Sequence, residues 1–296
     1  MTASIEVPAE RTGRPAPPDL VERREQMSMA IASGVFAASG PYAETQLGGL
    51  RTLRFTPAKR SPKGYLLHLH GGGYRQGMPE MGASFAERLA ERCCIEVVVP
   101  QYRLAPEAPF PAGFNDALTA LTALRSEVGD APLLVCGDSA GGGLAAALGI
   151  YCAAHDGPRI DGIVLISAWL DQTITAQSFN TNAATDPLFS EESARIASEL
   201  YLQGFDPRHS LASPRHAEIG KYPPTFVSVG TGEVLVDDSL GFHARLRAAG
   251  ISSTLCAIDG MEHTAVVRSM ELTGASETFD ELTSFVDSII SKRIDG

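Results

Sequence analysis

Three residue types follow one another along the chain in an order that suits acyl-transfer chemistry: a serine between glycines, then a carboxylate, then a histidine. Ser139 lies in Gly137-Asp138-Ser139-Ala140-Gly141, a G-x-S-x-G pattern. Pro132–Cys136 before it has the length and composition of a buried strand, and Leu144-Ala145-Ala146-Ala147-Leu148 after it opens a helix reaching about His155. Strand, sharp turn and helix leave a serine Oγ exposed above the sheet edge, and such a turn tolerates only small residues on either side of the serine. The alternative is a merely structural tight turn, and the flanking pattern argues for a nucleophile.

A serine hydroxyl is a weak nucleophile until a base takes its proton. His263, in Gly260-Met261-Glu262-His263, follows the last expected strand and is the candidate base. Of the other histidines, His155 and His243 fall on expected helices, and His209 and His216 lie in an irregular stretch. His68 sits within a strand pointing into the core, and His70 opens a glycine run. The acid should follow the preceding strand, where the chain reads Gly230-Thr231-Gly232-Glu233-Val234-Leu235-Val236-Asp237-Asp238. Glu233 is nearest the strand end and is the favoured partner, with Asp237 as the alternative. Asp237 and Asp238 also suit capping and charging the first turn of the next helix.

An acyl-transfer transition state needs donors for its oxyanion. Gly71-Gly72-Gly73 can bring bare N–H groups close, and the Ala140 amide, next after the serine, supplies a third. No Gly-Lys-Ser/Thr follows the glycines, which argues against a nucleotide cradle. The pair His68-x-His70 has no carboxylate or third histidine nearby in sequence, so no metal is expected.

The elements that must position these groups read as strands separated by helices. Helices are expected at Asp19–Ser33, Gly82–Cys94, Gly113–Glu127, Glu191–Leu202, Asp238–Ala249 and Glu271–Arg293. Strands are expected at Gly48–Thr56, Tyr65–Leu69, Ile95–Val99, Leu133–Cys136, Ile160–Ile166, Thr225–Val229 and Ser253–Ile258. This alternation implies an α/β fold with a mostly parallel sheet and helices on both faces. Residues 1–17 read as frayed or loosely docked, and Ala168–Lys221 breaks the alternation. A single domain is expected, capped by about residues 1–48 and an insertion at about 170–220.

The 296 residues suffice to bury about three quarters of the unfolded surface without staples. A net charge of −11 provides no basic stripe, which argues against nucleic acid as a partner. Five cysteines without a C-x-x-C pair suggest a reducing compartment, hence the cytoplasm. The N-terminal residues lack a secretory apolar region, and no apolar run approaches a membrane span.

His70-Gly71-Gly72-Gly73, Tyr102-Arg103-Leu104-Ala105-Pro106-Glu107 and Gly137-Asp138-Ser139-Ala140-Gly141-Gly142 together resemble the hormone-sensitive-lipase-like esterases of the α/β-hydrolase superfamily. The resemblance extends through Ser167-Ala168-Trp169-Leu170-Asp171 and Glu233–Asp238 to His263, and covers the chain from about Leu53 onward. It implies hydrolysis of short- and medium-chain carboxylic esters without a metal or other cofactor, under a helical cap. It assigns Ser139 as nucleophile, His263 as base, and Gly72, Gly73 and Ala140 as oxyanion donors. The family's acid is commonly the first Asp of Asp-Pro-Leu-x-Asp; here that slot holds Glu233, with Asp237 at the last position. Where the family often has Gly-Phe after the histidine, this chain has Thr264-Ala265. Homodimers are common among similar proteins, and the residues leave the oligomeric state open. The same triad could serve a lactone, a carbamate or an N-formyl amide, and some relatives that lost the histidine act as small-molecule receptors.

Overall fold

The computed structural model describes residues 5–58 and 61–295. In chain order the elements are α1 (Pro18–Ala32), β1 (Ala43–Leu47), β2 (Leu50–Phe55), β3 (Tyr65–Leu69), α2 (Ala83–Cys93), β4 (Glu96–Pro100), α3 (Ala112–Val128), β5 (Leu133–Asp138) and α4 (Ala140–His155). They continue with β6 (Gly162–Ile166), α5 (Ser178–Thr181), α6 (Glu191–Leu202), β7 (Thr225–Gly230), α7 (Val236–Ala248), β8 (Ser253–Ile258), α8 (Ala265–Arg268) and α9 (Ala275–Asp295). All eight strands form one sheet in the order β1-β2-β4-β3-β5-β6-β7-β8. From β4 through β8 the neighbours run parallel, while β1 and β2 are antiparallel additions at one edge.

The central strands are mostly apolar because both of their faces are covered. Period-two alternation then sends each side chain to one core or the other. Leu133 and Val135 of β5, with Ile163 and Leu165 of β6, join the layer of α3, α4 and α7. Leu134, Cys136, Val164 and Ile166 face α2 and α9. Each such side chain, taken fully from water, contributes about 1.5–3 kcal/mol.

Three expectations need correction. First, the single strand expected at Gly48–Thr56 is the second arm of a hairpin. Leu47 pairs with Leu50, and Gly48 and Gly49 turn the chain with φ of +59° and +85°, the two-residue turn that suits strand twist. Residues 43–47 therefore belong to the sheet and not to a cap reaching to about residue 48. Second, the last helix begins at Ala275, not Glu271. Third, the described part of the first 17 residues is held down, with residues 1–4 outside the described residues. The Arg11 guanidinium donates to the carbonyls of Phe110, Leu202 and Gln203, so it caps the C-terminal end of α6. Glu10 meets Arg103 and Asn115, which together hold its carboxyl down at about 2. α1 continues this docking: Arg24 donates to the carbonyls of Arg75 and Ala105 and pairs with Glu107.

Candidate active site

Ser139 follows the last residue of β5 and precedes the first of α4, with φ +52° and ψ −120°. A β-carbon on Gly141 would stand 1.9 Å from the Leu69 carbonyl oxygen, and one on Gly137 would stand 2.2 Å from that of Gly141. The two glycines are thus required by close backbone approach, and they let the chain hold a strained serine at the strand end. α4 directs its positive N-terminus toward this residue.

His263 and Glu233 converge on Ser139 from the loops after β8 and β7. The Ser139 hydroxyl lies 3.0 Å from His263 Nε2, and His263 Nδ1 lies 2.7 Å from Glu233 Oε2. With the Nδ1 proton held against the carboxylate, Nε2 is left as the acceptor. Glu233 is buried, and its other oxygen accepts from the Gly230 amide at 2.6 Å and the Ser167 hydroxyl at 2.8 Å. Burial of His263 opposes its charged form. The hydrogen bond and negative charge of Glu233, with Asp186 and Asp138 farther off, outweigh burial, and the imidazole pKa is raised.

The other acids of the same turn face elsewhere. Asp237 accepts from the Ser178 amide at 2.9 Å and makes no hydrogen bond to His263. Asp238 is buried, accepts from the amides of Leu170 and Asp171, and pairs with Arg215. Burial pushes its carboxyl up to about 7, against the pull of the Leu170 amide and Arg215. Both lie in the first turn of α7, as expected of acids that charge a helix start, and each also holds the 168–221 insertion; neither hydrogen-bonds His263.

The glycine loop lies beside the serine. Gly72 and Gly73 adopt positive φ, and their amides donate to no acceptor among the described residues. The Gly71 amide is occupied by Asp138 Oδ2 at 3.0 Å, while Asp138 Oδ1 meets His68 Nε2 at 3.0 Å. His70 Nδ1 donates to the Gly71 carbonyl, and burial lowers its pKa to about 4, so the ring is neutral. Tyr102 stacks on that ring and donates to the His70 carbonyl, and the Ala105 amide donates to the Tyr74 carbonyl. The Tyr102–Glu107 segment is therefore the brace of the glycine loop. Ala140, first residue of α4, is fully buried.

Ser139, His263, Gly72 and Gly73 line a cavity of about 620 Å³ that the insertion closes with Leu188 and Phe189. Phe189 stacks on the His263 ring with centroids 5.9 Å apart. Asp138, Ser167 and Phe189 are contributors that the residue pattern did not single out. Ser167 had a usable signal, since it follows the last residue of β6 just as Ser139 follows β5. Phe189 had none. Among the described residues, no group of three or more histidines, cysteines or acids could hold a metal, and no helix is long and apolar enough to cross a membrane.

A parallel sheet with a strained serine on its central strand, relayed through histidine to a carboxylate, defines a serine hydrolase of the α/β type. The family described by the alpha/beta hydrolase fold matches residues 66–267, and the chain belongs to it. An acetyl-hydrolase of Streptomyces hygroscopicus is 37% identical over 64% of this chain, a match spanning 64% of that protein's own length. An esterase of Acinetobacter venetianus is 28% identical over 78% of this chain and 77% of its own. The crystal structure of a hormone-sensitive lipase from a metagenome library superposes with a TM-score of 0.86 at 29% identity, covering 95% of this chain and 94% of that one. The resemblance carried by the three motifs is borne out.

Proposed function

We propose that the chain is a carboxylic ester hydrolase working through an acyl-enzyme, with Ser139 as nucleophile, His263 as general base and acid, and Glu233 as the acid of the triad. The observation that carries this reading is the relay of 3.0 Å and 2.7 Å from Ser139 through His263 to Glu233 at the floor of a cavity. The names of the similar proteins, esterase and acetyl-hydrolase, support it.

Ser139 attacks the ester carbonyl carbon while its proton passes to His263 Nε2. The carbonyl oxygen becomes an oxyanion held by the amides of Gly72, Gly73 and Ala140, with the N-terminus of α4 behind them. His263 then gives its proton to the leaving alcohol, whose C–O bond breaks. A water then loses a proton to the same nitrogen as its oxygen attacks the acyl carbon; the bond from that carbon to Ser139 Oγ breaks, His263 returns the proton to Oγ, and the acid leaves. Glu233 keeps the ring oriented and stabilises the imidazolium at each stage. A cavity of about 620 Å³ suits short- to medium-chain esters. The N-terminal segment and the 168–221 insertion act as its cap. Five unpaired cysteines support a reducing, cytoplasmic setting.

Ser139→Ala is the direct test. It should abolish p-nitrophenyl butyrate hydrolysis, a loss of roughly 10⁶-fold in kcat, with an unchanged circular dichroism spectrum. The native protein should take up one fluorophosphonate per chain. An active variant, or an unlabelled native protein, refutes the reading.

A further inference from the structure

Arg75 places in the cavity that holds Ser139 a charge that the mechanism does not use. It follows the glycine loop, lines the cavity with Ser139 and His263, and is 6% exposed. Its Nε lies 3.7 Å from the point where a β-carbon on Gly73 would stand. Arg54 meets Glu96 and Glu127, and Arg125 meets Asp161, while Arg11 and Arg245 answer backbone carbonyls and Arg88 the Ser84 hydroxyl; of these five none lines the cavity that holds Ser139. Arg75 has no carboxylate partner among the described residues. Its one side-chain hydrogen bond runs from Nη2 to the Ser193 hydroxyl of α6 at 3.1 Å, and its remaining N–H donors have no protein acceptor there.

The charges around it do not answer it either. Arg23 and Arg268 line the same cavity, and each already has its own acid, Asp19 and Glu262. The one carboxylate among the described lining residues, Asp138, is engaged with His68 and the Gly71 amide. In a chain of net charge −11, the wall of this cavity carries three arginines and one carboxylate among the described residues. Burial and the neighbouring Arg23 pull the Arg75 pKa below the ordinary arginine value, as expected of a cation without a counter-ion. Tying the glycine loop to α6 needs only a neutral donor to Ser193, and no ion pair within the described residues uses the charge. A planar guanidinium fork fits a carboxylate, and a ligand carboxylate would satisfy the donors left open.

We propose that Arg75 is a specificity residue that binds a carboxylate on the substrate, so that the preferred esters carry a free carboxylate within a few bonds of the scissile carbonyl. The proposal deepens the ester-hydrolase reading and rests on it.

Two substrate pairs test both sides of the ester. On the acyl side the pair is the p-nitrophenyl monoester of adipic acid against p-nitrophenyl hexanoate. On the alcohol side it is 4-(butyryloxy)benzoate against phenyl butyrate. For each pair the kcat/KM ratio of charged to neutral ester is compared between the native protein and Arg75→Met, which cancels intrinsic reactivity. In at least one pair the ratio should fall roughly 10- to 100-fold, as for loss of a charged hydrogen bond, and Arg75→Lys should restore part of it. Ratios unchanged in both pairs overturn the proposal. So does a loss of equal size on charged and neutral esters, the mark of a structural tie to Ser193. Turnover of the neutral esters in either case leaves the ester-hydrolase reading standing. A native protein that hydrolyses none of the four esters overturns both.

Discussion

Glu233, in the turn after β7, and Asp238, in the first turn of α7, are each only 1% exposed, yet they meet different partners. Glu233 turns inward to His263, its second oxygen fixed by Ser167 and Gly230. Asp238 turns outward to the start of the insertion and to Arg215. The β7–α7 connection therefore carries both the electrostatics of the proposed triad and the attachment of the segment that covers it. Residue type does not separate the two roles. What separates them is the chemistry of the partner: a titrating imidazole for Glu233, backbone amides and a permanent cation for Asp238. Asp237, between them in sequence, accepts from the Ser178 amide.

Glu233→Gln should give the largest effect of the three. It keeps shape but loses the charge that orients His263, and kcat/KM should fall by roughly 10²- to 10⁴-fold. It should also move the pH profile. In the native protein His263 has a raised pKa, so activity falls as pH drops through a value above the ordinary 6.5. Without the Glu233 charge, burial dominates, and the acid limb of any residual activity should shift to lower pH. An unmoved limb would argue that Glu233 does not set the state of His263.

Asp238→Ala should act on stability instead. It leaves two buried amides without an acceptor and Arg215 without its partner, a cost of about 3 kcal/mol, read as a lower urea midpoint. The acid limb should stay where it is in the native protein. Smallest of all, Asp237→Asn should leave kcat/KM within about threefold, because an amide oxygen can still accept from Ser178. A loss there as deep as that of Glu233→Gln would return Asp237 to the triad.

What could be read from the chain follows from where local sterics decide. The serine turn was legible because Gly137 and Gly141 are dictated by backbone contacts under 3 Å, which no other residue satisfies. His263 was legible from order alone, since the sheet topology fixes which loop reaches the serine. β1 was missed because Ala43-Glu44-Thr45-Gln46 is polar, as an edge strand is, although Gly48-Gly49 already carried the turn. Arg11 and Glu10 find partners about a hundred or more positions away, which no local pattern announces. The same holds for Asp237, Asp238 and Phe189, whose roles depend on how the insertion folds back.

Asp138 has a consequence for reproducibility from one turnover to the next. Covalently it is the neighbour of the proposed nucleophile, and through its carboxylate it grips the loop proposed to receive the oxyanion. Attacker and receiver are thereby referred to a common datum. When thermal motion displaces one, the other travels with it, and the distance that matters, from hydroxyl to amide cradle, varies less than either position alone. Registration between the two halves of the reaction is set at a single side chain and does not accumulate the errors of two separate strands.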